Sequence, residues 1–123
     1  MSKAQREKGK RGERLWRDTL RVHGFVAERA GYKQAAFGSG GSDVEDDSGL
    51  WWEVKFVEKL NVRAAYEQAA AACSGMIPAV AHKTSAKPFL VTLAGEDFLL
   101  LLSALRSLQK EKANTTLPDT TAT

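Results

Sequence analysis

The stretch Leu50-Trp51-Trp52-Glu53-Val54-Lys55-Phe56-Val57 constrains this chain more than any other. It is rich in aromatic and β-branched residues and follows a turn signal at Asp47-Ser48-Gly49, so it reads as a strand. Strand side chains alternate between faces. Leu50, Trp52, Val54 and Phe56 therefore share one face, and Trp51, Glu53, Lys55 and Val57 the other. A carboxylate and an amine two residues apart among large apolar groups are costly to bury unless paired or set on a cation. The ordinary alternative is an exposed pair on an edge strand. The acid-rich turn upstream, Ser42-Asp43-Val44-Glu45-Asp46-Asp47, can bring a second carboxylate alongside. Asp46 and Asp47 read as turn-capping acids.

The rest of the pattern follows in order. A first helix is expected from about Gly9 to Val22, packing through Leu15, Trp16, Leu20 and Thr19 and ending at Gly24. Strands are expected at Phe25–Ala30, Ser42–Asp46, Leu50–Val57, Ile77–His82 and Phe89–Leu93. Asn61 is a suitable N-cap for an alanine-rich second helix from Val62 to Cys73, with Gly75 past its end. Glu96 and Asp97 open a last helix, where negative charge suits the N-terminus. Its leucines cover more than one stripe, so it is either deeply buried or a dimer interface. The order α-β-β-β-α-β-β-α describes an α/β fold, a mixed five-stranded sheet flanked by helices. We expect one domain over residues 1–112, with 1–8 a mobile basic arm and 113–123 a disordered tail.

With 123 residues there is material for one modest core. A single cysteine, Cys73, forms no internal disulfide, and no secretory signal or membrane span is evident, so a cytoplasmic protein is expected. Charge is unevenly spread. Met1–Val22 carries eight bases against three acids, whereas Gly40–Glu53 carries five acids and no base. A basic arm beside an acidic centre suits a polyanion held near a cation. Trp16 and Trp52 are expected in the core. Trp51 could stack on a base, though packing is the simpler role, and His23 and His82 lack ligand-spaced partners and are expected to be structural.

Neighbouring strands lie about 4.8 Å apart, so Asp43 and Glu53 can share one divalent cation across the hairpin. Hard oxygen donors suit Mg²⁺, with Mn²⁺ as substitute. The Val54 carbonyl is a further candidate ligand, and Glu13, preceded by Gly12, can complete the set from the first helix. The alternative for Glu13 is a surface pair with Arg17. Lys55 would stand beside the scissile phosphate and stabilise charge developing there.

Glu13 on a first helix, then Asp43, then Glu53-Val54-Lys55 on the next strand, resembles the PD-(D/E)XK nuclease superfamily, closest to the Holliday junction resolvases of archaea and their bacteriophage relatives. The likeness spans roughly Lys8 to Leu93 and includes Gly12-Glu13, His23-Gly24-Phe25 and the alanine-rich helix. It implies a restriction-endonuclease-like core and a metal-dependent endonuclease, in the resolvase branch a homodimer that nicks two strands of a four-way junction. By position, Glu13, Asp43 and Glu53 would bind metal, Lys55 would assist catalysis, and Gln68 matches a glutamine found in several branches. Ser42 stands where the motif often has Pro, and the loop Phe37–Gly41 is longer and richer in glycine than in archaeal relatives. Lys8, Lys10, Arg11, Arg14 and Arg17, together with Arg29, Lys33 and Ser39, are the expected DNA contacts, gripping phosphates without reading bases. The expected partner is branched double-stranded DNA, in a bacterial, archaeal or phage setting. The alternatives are a flap, nicking or restriction-type nuclease, or a DNA-binding module that does not cut.

Overall fold

The computed structural model describes residues 2–30 and 41–122, with side chains through residue 114. Lys33, Ser39 and all of the glycine-rich loop except Gly41 lie outside the described residues. The chain divides after Leu93 into two compact units, where one domain through residue 112 is expected from sequence.

The first unit begins with helix α1, Lys3–Val22. Its start lies further upstream than the basic-arm reading places it. Ser2 is the N-cap: its Oγ accepts from Gln5 N–H at 3.1 Å, and its own N–H donates to Gln5 Oε1 at 3.0 Å. This reciprocal pair satisfies two of the N–H groups that a helix start leaves open. At the other end Gly24, with φ of 91°, turns the chain away after His23.

Five strands follow: β1 (Ala27–Arg29), β2 (Val44–Asp46), β3 (Leu50–Phe56), β4 (Ile77–Lys83) and β5 (Leu90–Thr92), with helix α2 (Val62–Ala72) between β3 and β4. They form one mixed sheet in the order β1-β2-β3-β4-β5. Only β3 and β4 are parallel, the other neighbours antiparallel. A parallel pair needs a crossover, and α2 supplies it. Asn61 caps α2 by accepting from Ala64 N–H at 3.0 Å. The strand holding Glu53 and Lys55 is thus the centre of the sheet, so the edge-strand alternative does not apply.

The alternation on β3 sorts the core into two layers. Trp52 and Val54 stand beside Ala79 and Ala81 of β4 and pack with Trp16 and Leu20 of α1. Trp16 meets Trp52 edge-on at 5.0 Å between ring centroids, and meets Phe89 at the same distance. On the other face Trp51 packs with Val80 and with Ala65 and Ala69 of α2. Small residues on α2 and β4 leave room for the indoles. Trp51 is 1% exposed, a core residue with no surface for stacking.

The packing stripe of α1 is Gly12, Trp16 and Leu20, while Leu15, expected inside, is exposed. Gly12 sets this rotation. A Cβ built there would lie 2.8 Å from Phe56 Cβ, so only glycine lets α1 approach β3 this closely. The close approach places Glu13, the next residue, beside the end of β3.

The second unit is helix α3, Gly95–Ala122, which includes most of the expected tail. Its first turn carries Glu96 and Asp97, and Phe98, Leu99, Leu100, Leu101, Leu102, Leu105 and Leu108 are all exposed. Among the described residues no helix is long and apolar enough to cross a membrane.

Candidate active site

The β2–β3 hairpin builds the site. Its turn is tied by Asp46, which accepts from Ser48 N–H at 3.1 Å, from Ser48 Oγ at 2.7 Å and from the Trp52 indole at 3.2 Å. Asp47 accepts from Val26 N–H at 3.1 Å, which joins the turn to the segment before β1. Asp46 caps the turn, as expected, whereas Asp47 ties it to the neighbouring segment. Gly49, with φ of 88°, completes the reversal.

With the turn fixed, Val44 pairs with Trp52, and Asp43 N–H donates to Trp52 O at 3.0 Å. That register brings Asp43 against Glu53. Asp43 Oδ2 accepts from Val54 N–H at 2.8 Å, and Glu53 is buried at 6% exposure. Burial pushes the Asp43 carboxyl up to about 6, helped by the neighbouring Glu53 charge. The Val54 N–H and the Lys55 charge pull the other way, and burial outweighs them. Two carboxylates are thus crowded at one place, and the Lys55 charge only partly offsets them.

Lys55 Nζ donates to Gln68 Oε1 of α2 at 3.2 Å, so the glutamine orients the ammonium. Glu13, Asp43, Glu53, Val54, Lys55 and Gln68 line one open cleft of about 500 Å³, together with Arg6 and Lys10 of α1. The structure therefore gathers all five expected catalytic residues around one hollow.

Glu13 is not paired with Arg17, as the surface alternative has it. Arg17 pairs with Asp18 at 2.9 Å, while Arg29 of β1 reaches Glu13 Oε1 through Nε and an Nη, both at 3.1 Å. Burial, followed by the charge of Asp43, raises the Glu13 pKa, and Arg29 opposes the rise. Arg29, one of the expected DNA contacts, is thus tied to Glu13. Nothing local in the sequence marks this pair, because its members lie on different elements. Among the described residues no group of three or more His, Cys, Asp or Glu side chains is gathered closely enough to hold a metal ion. The carboxylates that meet are Asp43 and Glu53, with Glu13 engaged by Arg29. Two carboxylates still fit Mg²⁺, which keeps several waters and commonly takes one or two carboxylates plus substrate phosphate.

Of the other expected DNA contacts, Lys8 pairs with Glu58 at 2.6 Å and Lys10 with Glu7 at 3.8 Å. Arg11 lies over the Phe56 ring, and Arg14 is exposed on α1. His23 Nδ1 contacts Thr19 O, and His82 Nε2 contacts Thr92 Oγ1, each at 2.9 Å, consistent with structural roles. Comparison with known proteins finds no family model and no curated protein that matches the chain.

Proposed function

We propose that the chain is a metal-dependent, structure-selective DNA endonuclease of the PD-(D/E)XK type, acting on four-way junctions by paired nicks. One observation carries this reading: Asp43 and Glu53 meet across a tied hairpin in a cleft that also holds Lys55, beside a helix rich in bases. Asp43, Glu53 and the Val54 carbonyl would hold Mg²⁺ or Mn²⁺, which supplies charge neutralisation at a phosphodiester when bound. Lys55, oriented by Gln68, stabilises negative charge on the phosphate as the bond breaks. Glu13, kept by Arg29 near Asp43, adds a carboxylate that can accept a proton or orient water at the rim. Bases that meet phosphates and not base edges would select for the angle between duplexes over sequence. A homodimer would set two such sites on one junction, so that paired nicks follow from its symmetry.

The test incubates labelled four-way junction, matched duplex and flap with Mg²⁺ or EDTA, wild type beside Glu53→Ala. Paired symmetric nicks in the junction alone, lost with EDTA and in the variant, are the expected result. Equal cutting of flap or duplex would keep the nuclease and discard the junction. Binding with no metal-dependent cutting would leave a DNA-binding module.

A further inference from the structure

Beyond the carboxylate cleft, the first unit gathers positive charge around one ring. Lys83 Nζ, Lys8 Nζ and Arg11 Cζ lie 4.4, 4.8 and 5.2 Å from the centroid of Phe56. Phe56 is the last residue of β3, so the cluster stands at the end of the strand that carries Glu53 and Lys55. The three cations also repel one another within the roughly 10 Å over which salt does not screen them.

A carboxylate sits among them, and its contacts are structural. Glu58 Oε2 lies 2.6 Å from Lys8 Nζ, and accepts from Ser85 N–H at 3.0 Å and Ser85 Oγ at 2.9 Å. The Lys8 hydrogen bond, aided by Ser85, holds the Glu58 carboxyl down at about 2. Glu58 therefore stays ionised and clips the β4–β5 turn to α1. That turn follows Lys83, the last residue of β4, carries Lys87 and includes Ala86 at φ of 60°, a backbone conformation uncommon for a residue with a Cβ. Lys83 and Lys87 line a hollow of about 340 Å³. A second hollow, of about 470 Å³ and lined by Lys8 and Glu58, shares Val57 with the first and Gln5, Phe56 and Val57 with the catalytic cleft.

The bases towards the other end of α1 are matched differently. Arg17 is paired with Asp18, and Arg21 with Glu28 at 2.9 Å. Positive charge gathers instead around Phe56 and towards the β4–β5 turn, where Lys8, Arg11, Lys83 and Lys87 stand with Glu58. We propose that Arg11, Lys83 and Lys87 form a second anchoring surface for a phosphodiester backbone, so that the nucleic acid leaves the Asp43/Glu53 cleft across Phe56 and not along Arg14 and Arg17. This rests on the nuclease reading for the identity of the polymer. Lys83 and Lys87 carry no signal in the sequence, because a five-residue turn with two lysines resembles any solvated loop.

The test is fluorescence polarisation of a labelled four-way junction with the full chain in EDTA, over a series of salt concentrations. Lys83→Ala/Lys87→Ala is expected to weaken binding roughly tenfold at fixed salt. It should also reduce the slope of log affinity against log salt by nearly two, about 0.9 for each phosphate that is no longer neutralised. Lys83→Arg/Lys87→Arg is expected to keep the slope, and Arg14→Ala/Arg17→Ala to change it by less than one. An unchanged slope in the Lys83→Ala/Lys87→Ala protein, an equal or larger loss with Arg14→Ala/Arg17→Ala, or no junction binding by wild type overturns the proposal. Thermal melts of each variant identify any loss that comes from unfolding. Because EDTA prevents cutting, the two readings fail separately. Cutting with an unchanged slope discards the surface alone, and the expected slopes with no cutting in Mg²⁺ discard the nuclease alone.

Discussion

Asp43→Asn should stabilise the metal-free protein. In the wild type the folded carboxyl titrates near 6, against about 3.9 in an unfolded chain. Burial comes first among the causes, followed by the Glu53 charge on the destabilising side. A raised pKa means that the folded state holds its proton more tightly than the unfolded state does. Stability therefore falls as pH rises from about 4 to about 6 and stays lower above that. Two pKa units correspond to about 2.7 kcal/mol, and the cleft's open side reduces this to about 2 kcal/mol. Asparagine keeps an oxygen for the Val54 N–H and removes the charge, so the gain at neutral pH should be about 2 kcal/mol, roughly 10 °C in melting temperature. Urea denaturation of both proteins at pH 4 and pH 7.5 measures it, with the difference expected only at the higher pH. Added Mg²⁺ should raise the wild-type melting temperature and leave the variant's unchanged, since a ligand of the folded state stabilises only where it binds. A variant no more stable than wild type at pH 7.5, or equally stabilised by Mg²⁺, would refute the crowded-carboxylate account.

Gly12→Ala sets two effects against each other: alanine gains about 1 kcal/mol of helix propensity, while overpacking against Phe56 Cβ costs about 1–3 kcal/mol. The net expectation is a loss of roughly 1 kcal/mol in urea denaturation, and a gain would show that α1 can move away freely. Glu58 has a depressed pKa, so its contribution is complete above about pH 4.5 and is lost as pH falls towards 2. Glu58→Gln should melt lower than wild type at pH 6, and the gap should close by pH 2. Lys55→Ala should slow single-turnover junction cleavage about 10²–10³-fold. Gln68→Ala should slow it less, roughly tenfold, because it removes only the group that orients the lysine.

The two faces of β3 were legible because period-two alternation has one solution. Glu53 and Lys55 must lie on the face opposite Trp52 and Val54, and both faces are covered. The hairpin was equally readable, since the Asp-Ser-Gly turn chemistry sets its register and the register sets Asp43 against Glu53. The first helix was less so. A helix face chosen by apolar residues alone includes Leu15, but the close approach at Gly12 rotates the stripe to exclude it. The capping box at Ser2 and Gln5 was present in the sequence, hidden by the absence of any apolar residue behind it.

The site shows the same division in sharper form. Residues presented by the hairpin strands could be placed from spacing, and Asp43, Glu53 and Lys55 share a cleft, which Gln68, expected only from the family resemblance, also lines. Residues that act through a partner on another element could not. The surface alternative paired Glu13 with Arg17 on its own helix, and it is engaged by Arg29 from β1. Lys8 was expected on a mobile arm, and it is fixed by a carboxylate fifty residues away. Local spacing specifies which side chains a strand or helix presents together. Ion pairs between elements depend on how α1 lies on the sheet, and that depends on a missing Cβ at Gly12. The position of one hydrogen atom in place of a methyl group thus decides whether Glu13 reaches Asp43's neighbourhood at all, which makes Gly12 as much a determinant of the candidate site as any residue with a functional group.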